Sequence, residues 1–112
     1  MPRYCLTLDL QDDAQKIAEY KRYHEKIWPE IRDSLYDAGV TDMEIYLLGT
    51  RMFMIMDVDN HFTMERKAEL DAANPKVLEW EELMGNFQAV PKGADAVRRW
   101  SVMEKVFDLA EQ

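Results

Sequence analysis

Met43-Glu44-Ile45-Tyr46-Leu47-Leu48-Gly49-Thr50-Arg51-Met52-Phe53-Met54-Ile55-Met56-Asp57-Val58 is the stretch on which the fold turns. Two apolar runs flank Gly49-Thr50, a two-residue turn with glycine first, and that spacing predicts an antiparallel hairpin with strands over 43–48 and 51–58. Side chains alternate across a strand, so Phe53 and Ile55 point one way while Met52, Met54, Met56 and Val58 point the other. Both faces of the second strand are apolar. A sheet with one wet face would alternate apolar with polar residues, so something must cover each side.

Upstream, residues 3–10 alternate, with Tyr4, Leu6, Leu8 and Leu10 on one side, and predict another strand. Asp12 followed three residues later by Gln15 predicts a capping box that opens a helix. Ile17, Tyr20, His24, Ile27, Trp28, Ile31 and Leu35 keep helical spacing as far as Gly39, a C-terminal stop. Pro29 falls inside that span. Proline lacks an N–H and crowds the preceding turn, which predicts a kink or a restart at Trp28–Pro29. Downstream of the hairpin, 62–73 and 75–87 read as helical segments divided at Asn74-Pro75, with Val77, Trp80, Met84 and Phe87 as the buried stripe. A loop holding Pro91 and Gly93 leads to a last strand over Trp100 to Leu109.

The order β-α-β-β-α-β describes an α+β, ferredoxin-like domain over residues 1–112, with an antiparallel four-stranded sheet and the helices on one face. The opposite face stays open in a single copy. Apolar residues on both sides of the sheet therefore predict a homodimer that buries sheet against sheet or closes a dimeric α/β barrel around a cavity.

Composition removes several function classes. Fourteen basic against 22 acidic residues give a net charge of −8, which repels nucleic-acid phosphates and anionic lipid. No apolar run approaches the roughly 18 residues of a membrane span, and the opening residues carry no signal-like apolar region, so the expected location is the cytoplasm. Two distant histidines, a lone cysteine and no glycine-rich phosphate loop encode neither a metal centre nor a nucleotide cradle. Cys5 reads as a small buried strand residue, His61 as a surface residue, and the Met52/Met54/Met56 row as packing. The expected chemistry runs on side chains alone, with no cofactor or metal.

Those side chains cluster in Tyr20-Lys21-Arg22-Tyr23-His24-Glu25-Lys26-Ile27-Trp28-Pro29-Glu30. Positions i, i+4 and i+8 share a helix face, so Tyr20, His24 and Trp28 look in nearly the same direction. An imidazole that titrates near neutrality, flanked by a hydroxyl and a large aromatic face, suits proton transfer on a bound sugar. Trp80 with Glu81 on the second helical connection offers a stacking platform beside a carboxylate that can accept hydroxyl hydrogen bonds.

With these residues in view, the chain resembles the L-rhamnose mutarotases. Tyr20-x-x-x-His24-x-x-Ile27-Trp28-Pro29-Glu30 carries the resemblance, followed by Ile45-Tyr46-Leu47 in the second strand and Trp80-x-x-x-Met84 in the second helix. It runs over roughly residues 3 to 109. The resemblance implies a dimeric ferredoxin-like fold and the interconversion of the α and β anomers of a 6-deoxy-L-hexose. It implies His24 as the catalytic acid and Tyr20 as a sugar contact with a share in proton transfer. Substrate binding by Trp28, Met43, Tyr46, Trp80 and Glu81 follows from it as well. Two positions depart from the family pattern: Glu81 stands where a second tryptophan is expected, and Met43 where a strand tyrosine is expected. The recognition half of the site is thus altered, and L-fucose stands beside L-rhamnose as the expected sugar. A ferredoxin-like dimer could alternatively be a monooxygenase, cofactor-free or with His24 on a haem, or a non-catalytic sugar-binding module.

Overall fold

The computed structural model describes residues 2–89 and 99–112; the predicted loop with Pro91 and Gly93 lies outside the described residues. The elements in chain order are β1 (Arg3–Asp9), α1 (Ala14–Glu25), α2 (Pro29–Ala38), β2 (Val40–Leu48), β3 (Arg51–Val58), α3 (Met64–Ala72), α4 (Pro75–Gly85) and β4 (Ser101–Val102), with a 3-10 turn at Leu109–Glu111. The strands form one antiparallel sheet in the order β2-β3-β1-β4. This is the ferredoxin-like arrangement expected from the sequence, with each helical connection broken into two helices.

The hairpin forms where its turn residues place it. Gly49 takes φ 61°, and Leu48 pairs with Arg51. That register sends Met52, Met54, Met56 and Val58 to one face, where they are buried with Leu6 and Leu8 of β1. Tyr20, Ile31, Val77, Trp80 and Met84 of the helices, with Phe87 just past α4, pack over the same face. Burying a side chain of this size contributes about 1.5–3 kcal/mol, so this stripe against the sheet supplies most of the cohesion.

Proline sets both helix breaks. Trp28 is extended (φ −59°, ψ 139°) and α2 restarts with Pro29 in its first turn, where a missing N–H costs nothing. Asn74 likewise caps α4, its side-chain oxygen accepting from the N–H groups of Lys76 and Val77, with Pro75 next.

Several expectations shift. The cap of α1 is Asp13, not Asp12: its carboxylate accepts from the N–H groups of Gln15 and Lys16. The helices are shorter than 62–73 and 75–87, while β2 starts three residues before Met43, with an irregularity between Val40 and Asp42. Cys5 is half-buried on the outer face of the sheet rather than in the core. The last strand is only Ser101–Val102, with one further bond from the Met103 N–H to the Cys5 carbonyl. Val106, Phe107 and Leu109, expected within that strand, are exposed, because β4 forms the edge and only β1 offers it partners.

Gly39 ends α2 in the left-handed region (φ 100°, ψ 12°), its N–H reaching back to the Leu35 and Tyr36 carbonyls. A Cβ there would lie 2.6 Å from Asp59 Oδ1. Gly39→Ala is expected to lower stability by about 1–2 kcal/mol from backbone strain, with the clash added. Urea unfolding followed by circular dichroism measures this, and an unchanged midpoint would refute it.

Candidate active site

His24 sits in the last turn of α1 and is half-buried. Its Nδ1 lies 2.8 Å from the Tyr20 carbonyl oxygen. A carbonyl can only accept, so Nδ1 carries the hydrogen and Nε2 of the neutral ring is left with its lone pair. Aromatic rings fix the imidazole plane. Tyr20 stacks on it at 4.3 Å between centroids and 26° between planes, and Trp80 meets it edge-on at 5.5 Å. Burial lowers the His24 pKa from its ordinary 6.5, and the hydrogen bond to the Tyr20 backbone only partly offsets this. The resting ring at neutral pH is therefore an uncharged base.

Tyr20 is buried, and burial raises its phenol pKa, against which a hydrogen bond with the Gln88 side chain acts. The phenol stays protonated and can donate. Its ring also meets Phe87 edge-on at 6.1 Å, tying α1 to the end of α4.

A cavity of about 230 Å³ lies between the helices and the sheet. Leu6, Met43, Ile45, Met54 and Met56 line it from the sheet, and Tyr20, His24, Trp80 and Glu81 from α1 and α4. That volume is below the roughly 300–1,000 Å³ of pockets for drug-sized ligands. It suits one small ring.

The structure brings together Tyr20, His24, Met43, Trp80 and Glu81 and sets two predicted residues apart. Trp28 packs edge-on against Trp80 at 5.1 Å and carries the Lys76 ammonium 5.6 Å from its ring, so it backs the platform rather than lining the cavity. Tyr46 is on the other face of the sheet. It is 55% exposed and donates its hydroxyl to Glu44 at 2.5 Å, and its neighbour Ile45 lines the cavity instead. The reason is the period of two: Met43 and Ile45 point in, so Tyr46 must point out.

Sequence reasoning missed the polar lining. Lys67 and Asp71 of α3, Gln88 after α4, and Arg99 before β4 all face the cavity. Arg99 donates to the Glu81 carbonyl oxygen at 2.7 Å and to Gln88 Oε1 at 3.3 Å. Lys67 and Asp71 could have been found as an i,i+4 pair, but such pairs ordinarily mark solvated helix faces. Gln88 and Arg99 carry no local signal, because only the tertiary fold joins them to Tyr20.

Comparison with known proteins places this geometry. Residues 3–109 match the family described as L-rhamnose mutarotase. An L-fucose mutarotase of Xanthomonas campestris is 39% identical over 113 aligned positions, covering 99% of this chain and 90% of that protein. An L-rhamnose mutarotase of Paraburkholderia phytofirmans is 32% identical over 93 positions, 81% of each chain. Among solved structures, an L-rhamnose mutarotase from Formosa agariphila superposes with a TM-score of 0.73 at 21% identity, covering 97% of this chain and 99% of its own. A dimeric ferredoxin-like protein from an uncultured marine organism gives 0.54 at 14% identity, covering 95% and 90%, and supports the fold alone. The match along nearly the whole chain, together with these relatives, shows that the protein belongs to the L-rhamnose mutarotase family.

Proposed function

We propose that the protein is an isomerase that interconverts the α and β pyranose anomers of a 6-deoxy-L-hexose, with His24 moving the proton. The observation that carries this is the neutral imidazole held by the Tyr20 carbonyl and the Tyr20 ring at the wall of a ring-sized cavity. L-Fucose and L-rhamnose are the candidate sugars. The 39% identical relative bears the first name and the 32% identical relative the second.

Mutarotation moves one proton from the anomeric oxygen to the ring oxygen while the bond between C1 and the ring oxygen breaks. Rotation about C1–C2 and closure reverse the transfer on the other aldehyde face. His24 Nε2 takes the proton from the anomeric hydroxyl and, as imidazolium, returns it to the ring oxygen. Burial disfavours the imidazolium, so the proton is passed on rather than kept. The Tyr20 hydroxyl orients the sugar oxygen or relays the proton, Trp80 covers a ring face, and Glu81 accepts hydroxyl hydrogen bonds.

His24→Gln is expected to reduce protein-dependent exchange between anomeric proton NMR signals by about 10²–10⁴-fold with the fold intact, and a folded variant of full activity would refute the role. In the unsubstituted protein, kcat/KM should fall on acidification through the His24 pKa, which burial holds below 6.5. The linkage has the same sign. The unfolded histidine binds a proton more readily, so the stability tied to neutral His24 is complete above 6.5 and is lost as pH falls through the lower folded pKa. A flat acid limb in both activity and stability would contradict it.

Glu81 stands where the family pattern has an aromatic residue. Glu81→Trp is expected to shift relative kcat/KM about tenfold from L-fucose toward L-rhamnose, and an unchanged ratio would exclude Glu81 from sugar choice.

The working unit in this proposal is a cytoplasmic homodimer. Phe53 and Ile55 lie on the outer face beside exposed Tyr46 and Leu48, and Val106, Phe107 and Leu109 are exposed beyond β4. A second copy would cover this apolar surface. Sedimentation velocity should give twice the 13.2 kDa chain mass, and Ile55→Glu should move the boundary to the monomer. A monomeric unsubstituted protein would end the dimer proposal.

A further inference from the structure

Asp71 and Gln88 are the buried polar residues among the described residues, and both line the cavity. Gln88 is accounted for by Tyr20 and Arg99. Asp71 is a carboxylate with an 11% exposed side chain, bonded through Oδ2 to Lys67 Nζ at 2.6 Å, and Lys67 is itself only 24% exposed. Among the described residues Lys67 is the side-chain hydrogen-bond partner of Asp71, and both side chains line the cavity. A carboxylate offers about four acceptor sites and an ammonium three donors, so the pair keeps both kinds of capacity after bonding to itself.

A structural role explains this poorly. Desolvating two charges costs several kcal/mol, and well-packed apolar residues usually serve a core at least as well. The anchor of α3 on α2 is already made by Arg66, whose guanidinium donates to the Ala38 and Asp37 carbonyl oxygens at 3.1 and 3.3 Å. With that anchor in place, the packing of α3 does not call for an ion pair facing a void. A sugar hydroxyl, by contrast, donates one hydrogen and accepts another. A neighbouring carboxylate and ammonium satisfy both of its functions at once.

We propose that Lys67 and Asp71 form the second polar pole of the sugar site, binding ring hydroxyls remote from C1 and so deciding which epimer is accepted. The proposal rests on the mutarotase reading above and deepens it. Lys67 and Asp71 come from α3, while His24 comes from α1 and Trp80 from α4, so the two poles stand on different walls of one cavity. A pyranose turned with C1 toward His24 offers its other hydroxyls to α3. L-Fucose and L-rhamnose differ in configuration at C2 and C4, so a fixed donor–acceptor pair satisfies one and leaves its charges unpaired with the other.

The test measures anomer exchange for the preferred 6-deoxy-L-hexose and for analogues deoxygenated singly at C2, C3 and C4, using the full chain and its Asp71→Asn and Lys67→Arg variants. With the unsubstituted protein, at least one deoxygenation should raise KM by about tenfold or more. In Asp71→Asn the same deoxygenation should cost less than about threefold, and the fucose-to-rhamnose ratio should shift while kcat for the preferred sugar changes less than KM. A merely structural pair would lower activity on all sugars together. Lys67→Arg keeps the ion pair and guards against a misfolded Asp71→Asn; it should alter the sugar ratio with thermal stability retained. Unchanged deoxygenation penalties in the folded variants would overturn this inference alone. No exchange of any sugar by the unsubstituted protein would overturn the mutarotase reading, and this one with it.

Discussion

Pro29 is the constraint from which the site follows. A helix unbroken from residue 14 to 38 would be about 37 Å long at roughly 1.5 Å per residue. The longest strand beneath it has nine residues and reaches about 30 Å. The chain cannot lay such a rod on this sheet and still return at Gly39 to start β2. Pro29 stops the backbone ladder, Lys26 and Trp28 are extended, and two short helices replace one long one. α2 packs closely on β2, α3 and α4, whereas α1 reaches α4 through the rings of Tyr20 and Tyr23. The centroids of those rings lie 5.9–6.2 Å from Trp80 or Phe87, and His24 of α1 lies 5.5 Å from Trp80. The cavity lies between these helices and the sheet.

Its electrostatics follow from who lines it. The chain is strongly acidic, yet the neighbours of His24 are aromatic rings and a backbone carbonyl. A carboxylate touching the imidazole would raise its pKa and keep it charged; rings lower it and keep it basic. The same aromatic shell fixes the ring plane, so the imidazole is already placed at the cavity wall and would lose little freedom on binding a ligand.

The fold was largely legible in the sequence and the site only half so. Gly49-Thr50, Pro29, Gly39 and Asn74-Pro75 are local instructions, and each break or turn they encode is present. The Tyr20 and His24 pairing was legible for the same reason, since four residues on a helix fix a stack. Tyr46 was misplaced because a motif read along a strand ignores that adjacent residues face opposite sides. The long last strand was overestimated because the apolar residues of 100–109 cannot say whether a partner strand exists within one copy. Gln88 and Arg99 were illegible, being brought to the cavity by the fold alone, and the i,i+4 spacing of Lys67 and Asp71 could not tell a cavity wall from a solvated helix face.

This division has a chemical logic. Moving one proton between two oxygens bonded to the same carbon makes the same demand of every aldopyranose, and a single helix turn carrying Tyr20 and His24 can meet it. Telling epimers apart makes a different demand, because hydroxyls differ around the whole ring and must be met from several directions. Under the proposed mutarotase reading, recognition is spread over walls that come from different elements, since Met43 on β2, Glu81 on α4, and Lys67 with Asp71 on α3 all line the cavity. Substitutions on those walls leave the α1 turn and its aromatic shell intact, so the sugar can change while the reaction stays. Glu81 and Met43, the two positions that depart from the family pattern, both line the cavity from elements other than α1, away from the turn that holds Tyr20 and His24.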